Sequence, residues 1–234
     1  MNKTLDFLTG IKVLEEVESP INGKLTVVRD LAWGTYIKGG GLTQSGGVAE
    51  KVWRTALNKV KGPHFAKASR GKQMSNVKSC LILGLGGGGI AKIVRKNWPD
   101  AKIVGVDVDP IIVELGKKYL GLDKLGVEIV IQDAYEYITN NSKLITQNFD
   151  LICVDMYVGD RVPEKFETDN YIQLVRRLLT SSGHVVFNRL YYGEKRKEAE
   201  EFHRKLIHIF KKVRPVYPEA NVMYVCSIQT PRIP

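Results

Sequence analysis

The sequence predicts an α/β fold. A mostly parallel, Rossmann-like sheet is covered by helices on both faces, ends in an antiparallel C-terminal hairpin and is preceded by a small antiparallel β unit. Three observations carry this expectation. Residues 81–89, Leu-Ile-Leu-Gly-Leu-Gly-Gly-Gly-Gly, are an apolar strand-like run that breaks into a glycine-rich turn. Four consecutive glycines weaken any regular element, so they mark a place where the backbone needs the room. A second apolar run, Ala101-Lys-Ile-Val-Gly-Val-Asp107-Val-Asp109-Pro110, ends in acid at the spacing of a nucleotide-binding βαβ unit. From residue 78 onward, strand-like and helix-like segments alternate, which requires a parallel sheet with both faces covered.

The elements follow in chain order. Segments 12–18, 24–30 and 33–44 are short, β-branched and separated by turn signals (Ser19-Pro20, Asn22-Gly23), and they read as an antiparallel unit. Val48, Val52, Ala56 and Val60 form one helical stripe. Strands are expected at 78–83, 102–107, 126–131, 149–155 and 183–188. Helices are expected near 88–97, 110–119, 133–139 and 169–180. A last helix at 194–210 leads into a hairpin of 212–217 and 222–228. The chain of 234 residues suits one large domain or a main domain with an appendage. The division expected is an N-terminal β unit, helix and basic linker over 1–77, then a nucleoside-binding domain over 78–234.

Composition narrows the function classes. No apolar run is long enough to span a bilayer, and no sustained apolar region follows Met1, so no membrane partner and a cytoplasmic location are expected. Cys80, Cys153 and Cys226 all lie in apolar runs and read as buried free thiols of a reducing compartment. The four histidines show no metal-ligand spacing, so no metal is assigned. The net charge of +10 is uneven: from Lys51 to Lys78 there are eight basic residues and no acid. That stretch offers a route to nucleic acid. A solvated linker is preferred, because no aromatic residues interleave for base stacking.

Ligands of open parallel sheets bind at the carboxyl ends of the strands. Those ends are Gly84–Gly89, Asp107, Gln132-Asp133-Ala134 and Asp155-Met156-Tyr157. Three acids and a glycine turn converge there. So many carboxylates repel a pyrophosphate. S-Adenosylmethionine, with a ribose, an adenine, a cationic sulfonium and no phosphate, fits better. Asp109, before Pro110, reads as the N-cap of the next helix, and Thr168 or Asp169 as the cap of a later one. Asp133 and Asp155 also admit a capping role. Tyr191 and Tyr192 are candidates for pocket walls.

With these residues in view, the chain from about residue 13 onward resembles the spermidine synthase (polyamine aminopropyltransferase) family, a branch of the class I S-adenosylmethionine-dependent methyltransferase fold. Gly41-Leu-Thr-Gln44-Ser45, followed by Glu50, resembles the family's Gln-Ser/Cys-Thr-Glu-Arg-Asp-Glu strand end. The resemblance implies that Gln44 contacts the nucleoside, Asp107 holds its ribose and Asp133 receives the adenine amino group. It implies that Asp155 assists deprotonation of an attacking amine. Gly84, Gly86, Gly87, Gly88, Val108 and Ala134 complete the expected cofactor set, and Tyr157 and Asp160 join Asp155 as catalytic candidates. A homodimer or higher homo-oligomer is implied as well.

The departures bear on the reaction. The family's glycine turn carries an aspartate that pairs with the aminopropyl ammonium; Gly87 stands there. The second acid of Asp-Ser-Ser-Asp becomes Val158, with Asp160 two residues on, and Tyr-His-Glu becomes Trp53-Arg54-Thr55. A missing acid at 87 suits intact S-adenosylmethionine, whose carboxylate exposed N–H groups can receive. The first expectation is therefore a spermidine-synthase-like transferase moving a methyl group to an unidentified small-molecule acceptor, an amine among the candidates. The alternative is an aminopropyltransferase using decarboxylated S-adenosylmethionine. A third is a non-catalytic nucleoside- or nucleic-acid-binding protein.

Overall fold

The computed structural model describes residues 10–61, 76–140 and 148–228. Most of the predicted basic linker therefore lies outside the described residues. The chain opens with β1 (Ile11–Ser19), β2 (Gly23–Asp30), β3 (Gly34–Gly39) and β4 (Leu42–Gly46), an antiparallel sheet in that order. The expected strand 33–44 is thus two strands. Gly40 and Gly41 sit at φ 58° and 80° and make a two-residue turn that only a left-handed backbone can close. Helix α1 (Gly47–Lys61) follows directly and carries the predicted stripe inward.

The second sheet contains β5 (Ser79–Leu83), β6 (Lys102–Asp107), β7 (Val127–Ile131), β8 (Phe149–Val154), β9 (Leu179–Leu190), β10 (Lys212–Val216) and β11 (Asn221–Ser227). Its order is β10-β11-β9-β8-β5-β6-β7, with β5 to β9 parallel and β11 and β10 antiparallel. The helices between are α2 (Gly89–Asn97), α3 (Pro110–Leu115), α4 (Ala134–Asn140), α5 (Asp169–Arg177) and α6 (Lys195–Ile209). The strand order turns back between β5 and β8, and the crevice above that point is where ligands of such sheets sit.

Three boundaries differ from the sequence expectation. Helix α3 loosens into a π turn over Gly116–Leu120, because Gly116 approaches the glycine turn so closely that a β-carbon there would lie 2.5 Å from Gly87 Cα. Helix α5 stops at Arg177 rather than 180, and β9 starts at Leu179 rather than 183. Phe149 N–H is bound by the Leu178 carbonyl at 2.7 Å, so the strand pairing begins before the polar Thr180-Ser-Ser182 stretch that hides it in the sequence. A 3-10 turn at Glu164–Glu167 was not anticipated.

Strand alternation divides the core. Cys80 and Ile82 of β5 face one apolar cluster, and Leu81 and Leu83 face the other. The first cluster runs on through Trp53 and Leu57 of α1 to Leu25, Val27 and Ile37 of the small sheet, so the two sheets share a core. A polar latch reinforces the contact. Ser19 Oγ donates to Asp109 Oδ2 at 2.5 Å and Asn22 Nδ2 donates to the same oxygen at 2.6 Å, while Asp109 Oδ1 caps α3 through Ile111 N–H. Asp109 is the predicted cap, and it is fully buried. Removing the hydroxyl in Ser19→Ala leaves a buried carboxylate short of a donor. We expect a loss of roughly 1.5–3 kcal/mol in urea unfolding. An unchanged midpoint would mean that the latch contributes nothing to the joining of the two sheets.

Candidate active site

A cavity of about 460 Å³ opens at the carboxyl ends of β5, β6 and β8, with Leu42–Gly46 and α1 as its opposite wall. That volume lies in the range of small-molecule sites. Gly84 ends β5 at φ 86°, and a β-carbon on it would fall 2.1 Å from the Asp155 carbonyl oxygen. Gly86, at φ 52°, donates its N–H to Asp107 Oδ2 at 2.7 Å, and Asp109 N–H donates to the other oxygen at 2.9 Å. Burial pushes the Asp107 carboxyl up from its usual range, against those backbone donors. Val108, half-exposed on the same rim, lines the cavity, as do Gln132 and Ala134.

Asp133 lines the cavity and also caps α4, accepting from Tyr135 and Glu136 N–H at 2.9 and 3.2 Å. Its outer oxygen pairs with Lys165 at 2.6 Å. Gln44 reaches the cavity from β4 and donates to the Gly39 carbonyl at 3.0 Å. Asp155 sits at the base. Trp53 Nε1 donates to Oδ2 and Asn188 Nδ2 to Oδ1, both at 2.8 Å. Burial raises its carboxyl, and the two donors and the nearby Arg189 oppose that shift. Tyr157 also lines the cavity. Its hydroxyl accepts from Leu190 N–H at 2.7 Å, and burial pushes the phenol well above its usual value.

Three sequence-predicted residues lie elsewhere. Gly87 does not line the cavity; it is covered by Gly116, Leu120 and Ile37, and a β-carbon there would meet two of those side chains within 3 Å. Gly88 starts α2 at φ 89° under Leu122. Asp160 is half-exposed outside the cavity, 4.0 Å from both Arg161 and Lys195. Of the two tyrosines after β9, Tyr192 lines the cavity, whereas Tyr191 packs on Tyr217. The sequence reading passed over Asn188, Asn221 and Lys165, and noted Trp53 only as a departure. Asn188 carried a readable signal: it is a polar residue ending the buried run Val185-Val-Phe187.

The lining is acidic, although the protein carries +10. Among the described residues, Glu50, Asp107, Asp133, Asp155 and Glu219 line the cavity, against Lys165 alone among bases. Glu50 pairs with Arg54 and Lys92, Glu219 with Lys51 and Asp133 with Lys165. Asp107 and Asp155, the two most buried, are held by neutral donors and form no ion pair among the described residues. Such a site favours a cation, or a ligand offering hydroxyl and amino donors.

Residues 63–228 match the spermine/spermidine synthase domain. The chain belongs to this family. Among curated relatives it is 28% identical over 161 residues to a polyamine aminopropyltransferase of Chromobacterium violaceum, covering 67% of this chain and 59% of that protein. A mouse eEF1A lysine and N-terminal methyltransferase is 24% identical over 155 residues, covering 63% of this chain and 22% of that protein. The chain thus spans little more than half, or less, of the length of these relatives. Spermidine synthase of Thermotoga maritima superimposes with a TM-score of 0.71 at 21% identity, over 93% of this chain and 73% of that one. Human methyltransferase-like protein 13, in complex with SAH, gives 0.61 at 19%, over 79% and 84%. These two likenesses establish the fold: a spermidine-synthase and class I methyltransferase type sheet with a separate small antiparallel one.

Replacing Asp107 by Ala removes a charged acceptor at the expected ribose position and the prop under Gly86. Affinity for methylthioadenosine, measured by calorimetry, should fall by about tenfold or more. Unchanged affinity would place the nucleoside elsewhere.

Proposed function

We propose that this spermidine-synthase family member transfers an aminopropyl group from decarboxylated S-adenosylmethionine to a small amine. The observation that carries this reading is the lining charge among the described residues: five acids against one lysine that is already paired. Donor and acceptor would both be cations. The absent acid at Gly87 had favoured intact S-adenosylmethionine in the sequence, on the ground that freed N–H groups receive its carboxylate. Gly87 is packed away from the cavity, and among the described residues the lining offers no unpaired base for a carboxylate, so that preference weakens.

The residues fit a sulfonium nucleoside. The glycine turn gives a backbone surface beside Asp107, Asp107 faces the ribose, and Asp133 with Ala134 faces the base. Gln44 closes the seat from β4. The bound donor would supply a carbon bonded to a positively charged sulfur, which leaves as a neutral thioether when an amine nitrogen attacks. Asp155 orients that amine and takes the proton it sheds. Tyr157, its hydroxyl fixed by Leu190 N–H, shapes the acceptor side without itself titrating.

A second reading, methyl transfer from intact S-adenosylmethionine, keeps one supporting observation: the acid that the resemblance assigns to the aminopropyl ammonium is replaced by Gly87. The two readings separate on one preparation. Calorimetry should give tighter binding of the decarboxylated donor than of the intact one, and putrescine should become its aminopropyl product. Tighter binding of the intact donor, with a methylated amine as product, would overturn the first reading in favour of the second.

The reaction should also report Asp155. Burial raises its carboxyl, so kcat/KM should fall as pH drops through that raised value and the base is protonated. Asp155→Asn should lower turnover by about 100-fold or more while leaving methylthioadenosine affinity within about threefold. Loss of affinity on the same scale as turnover would assign Asp155 to nucleoside binding instead.

A reducing, cytoplasmic setting and a homo-oligomer complete the proposal. Cys80, Cys153 and Cys226 are buried free thiols, and β1 forms an outer strand of the small sheet. Light scattering at micromolar concentration should give at least twice the chain mass, and a monomeric mass would reject the oligomer.

A further inference from the structure

Asp155 is the end of a chain of side-chain amides. Asn221, the first residue of β11, donates from Nδ2 to Asn188 Oδ1 at 2.8 Å. Asn188, near the end of the adjacent β9, donates from Nδ2 to Asp155 Oδ1 at 2.8 Å. The two residues are not direct register partners, since Asn221 lies opposite Leu190 and Asn188 opposite Met223, so the contact is made along the strands by the side chains. An amide has one donor end and one acceptor end. Because Asn221 presents its NH2 to the Asn188 carbonyl, Asn188 can present only its NH2 to Asp155. On the other oxygen, the Trp53 indole N–H can only donate. Both oxygens of Asp155 therefore meet groups that cannot accept a proton.

We propose that Asn221, acting through Asn188, is a positioning residue that fixes Asp155 as an acceptor at Oδ1, as Trp53 does at Oδ2, and so keeps it anionic to take the proton that the acceptor amine sheds as it attacks. The inference rests on the reading of Asp155 as the acceptor-facing carboxylate. The relay works against the burial of the site, which favours the protonated acid. The other groups around Asp155 divide in their effect. Arg189, behind Asn188 on β9, favours the anion. The Cys153 thiol and the Tyr157 phenol on either side are both pushed up by burial and stay neutral. Asp107, Glu50 and Glu219 on the cavity wall oppose the anion; Glu50 and Glu219 are offset by their lysine and arginine partners. Asn188 and Trp53 are the groups that bond Asp155 directly.

The relay predicts that the amide can be reversed from a distance. In Asn221→Asp, the new carboxylate can only accept, so Asn188 turns its NH2 towards residue 221 and its carbonyl towards Asp155. Asp155 must then carry a proton to complete the bond.

The test is a carbon-13 NMR or isotope-edited infrared titration of the Asp155 carboxyl in the ligand-free protein, its signal identified by loss in Asp155→Asn. Asn188→Ala removes the donor and should raise the Asp155 midpoint by about one pH unit. Asn221→Asp should raise it by at least as much when Asn188 is present, and by less than half as much in the Asn188→Ala background. That difference is the coupling of the cycle. A through-space charge effect alone would give the same shift with and without Asn188 and would overturn the proposal, as would an unmoved midpoint in Asn188→Ala. Trp53→Phe provides an independent arm: removing the other donor should also raise the midpoint, and its failure to do so would count against control by the donor pair. In active protein, the acid limb of kcat/KM should move with the carboxyl, and Asn221→Gln, which keeps the amide, should return it towards the original position. No turnover with any donor would overturn the proposed function. The relay would still be decided, because the titration needs neither donor nor turnover.

Discussion

The ends of β5 and β8 approach each other so closely that a β-carbon on Gly84 would lie 2.1 Å from the Asp155 carbonyl oxygen. Backbone bonds hold the approach on both sides. Asp155 N–H donates to the Leu83 carbonyl at 2.8 Å, and the N–H groups of Gly84 and Leu85 donate to Val106 at 2.9 and 3.0 Å. Three strand ends are therefore tied into one rim, with the glycine turn and the Asp155 carboxylate on opposite sides of a single peptide contact. A transfer reaction needs the two reactants held together in attacking geometry. In the proposed reaction that proximity would come from the sheet itself.

The same rim concentrates a cost. Asp107 and Asp155 are both part-buried, and in both desolvation raises the carboxyl above its usual range. By linkage, each contributes stability that is present below the unfolded-state pKa and is lost as pH rises through the raised folded-state value. The folded protein offsets this with neutral donors: two backbone N–H groups on Asp107, an indole and an amide on Asp155. Cationic side chains are kept for the outer acids Glu50, Asp133 and Glu219. A site stabilised in this way has negative charge left over for a ligand, and a positively charged ligand relieves the strain that burial imposes.

What could be read from the sequence was local. The strand, glycine turn, helix and acid of β5 to β6 follow one another within 29 residues (79–107), and their chemistry is set by neighbours in the chain. Asp109 and Thr168 were readable as caps for the same reason, and both cap their helices. The glycine run looks uniform in one dimension, so the sequence does not sort its members. In three dimensions Gly84 and Gly86 face the cavity, while Gly87 makes room for Gly116 and Gly88 for Leu122. Asp160 seemed a plausible substitute for a missing acid two residues away, but the turn carries it out to solvent beside Arg161. The clamp on Asp155 could not be read as a unit: Asn188 is legible only as a polar residue ending a buried run. Trp53, Asn188 and Asn221 come from three elements separated by as many as 168 positions (53 to 221), and only the folded sheet brings them together.

The small N-terminal sheet belongs to the chemistry as well as to the fold. It shares an apolar core with β5 and β6, the Ser19 and Asn22 turn is bonded to Asp109, and Asp109 N–H in turn supports Asp107. Gln44 on β4 lines the cavity, and Trp53 on the helix that follows holds Asp155. Displacing this sheet would therefore disturb both ends of the cavity together, Asp107 through Asp109 and Asp155 through Trp53. A nucleotide-binding sheet with its glycine turn is common to many chemistries. Here one wall of the cavity, Leu42–Gly46 and the helix after it with Glu50 and Trp53, is built by residues that precede the glycine turn in the chain.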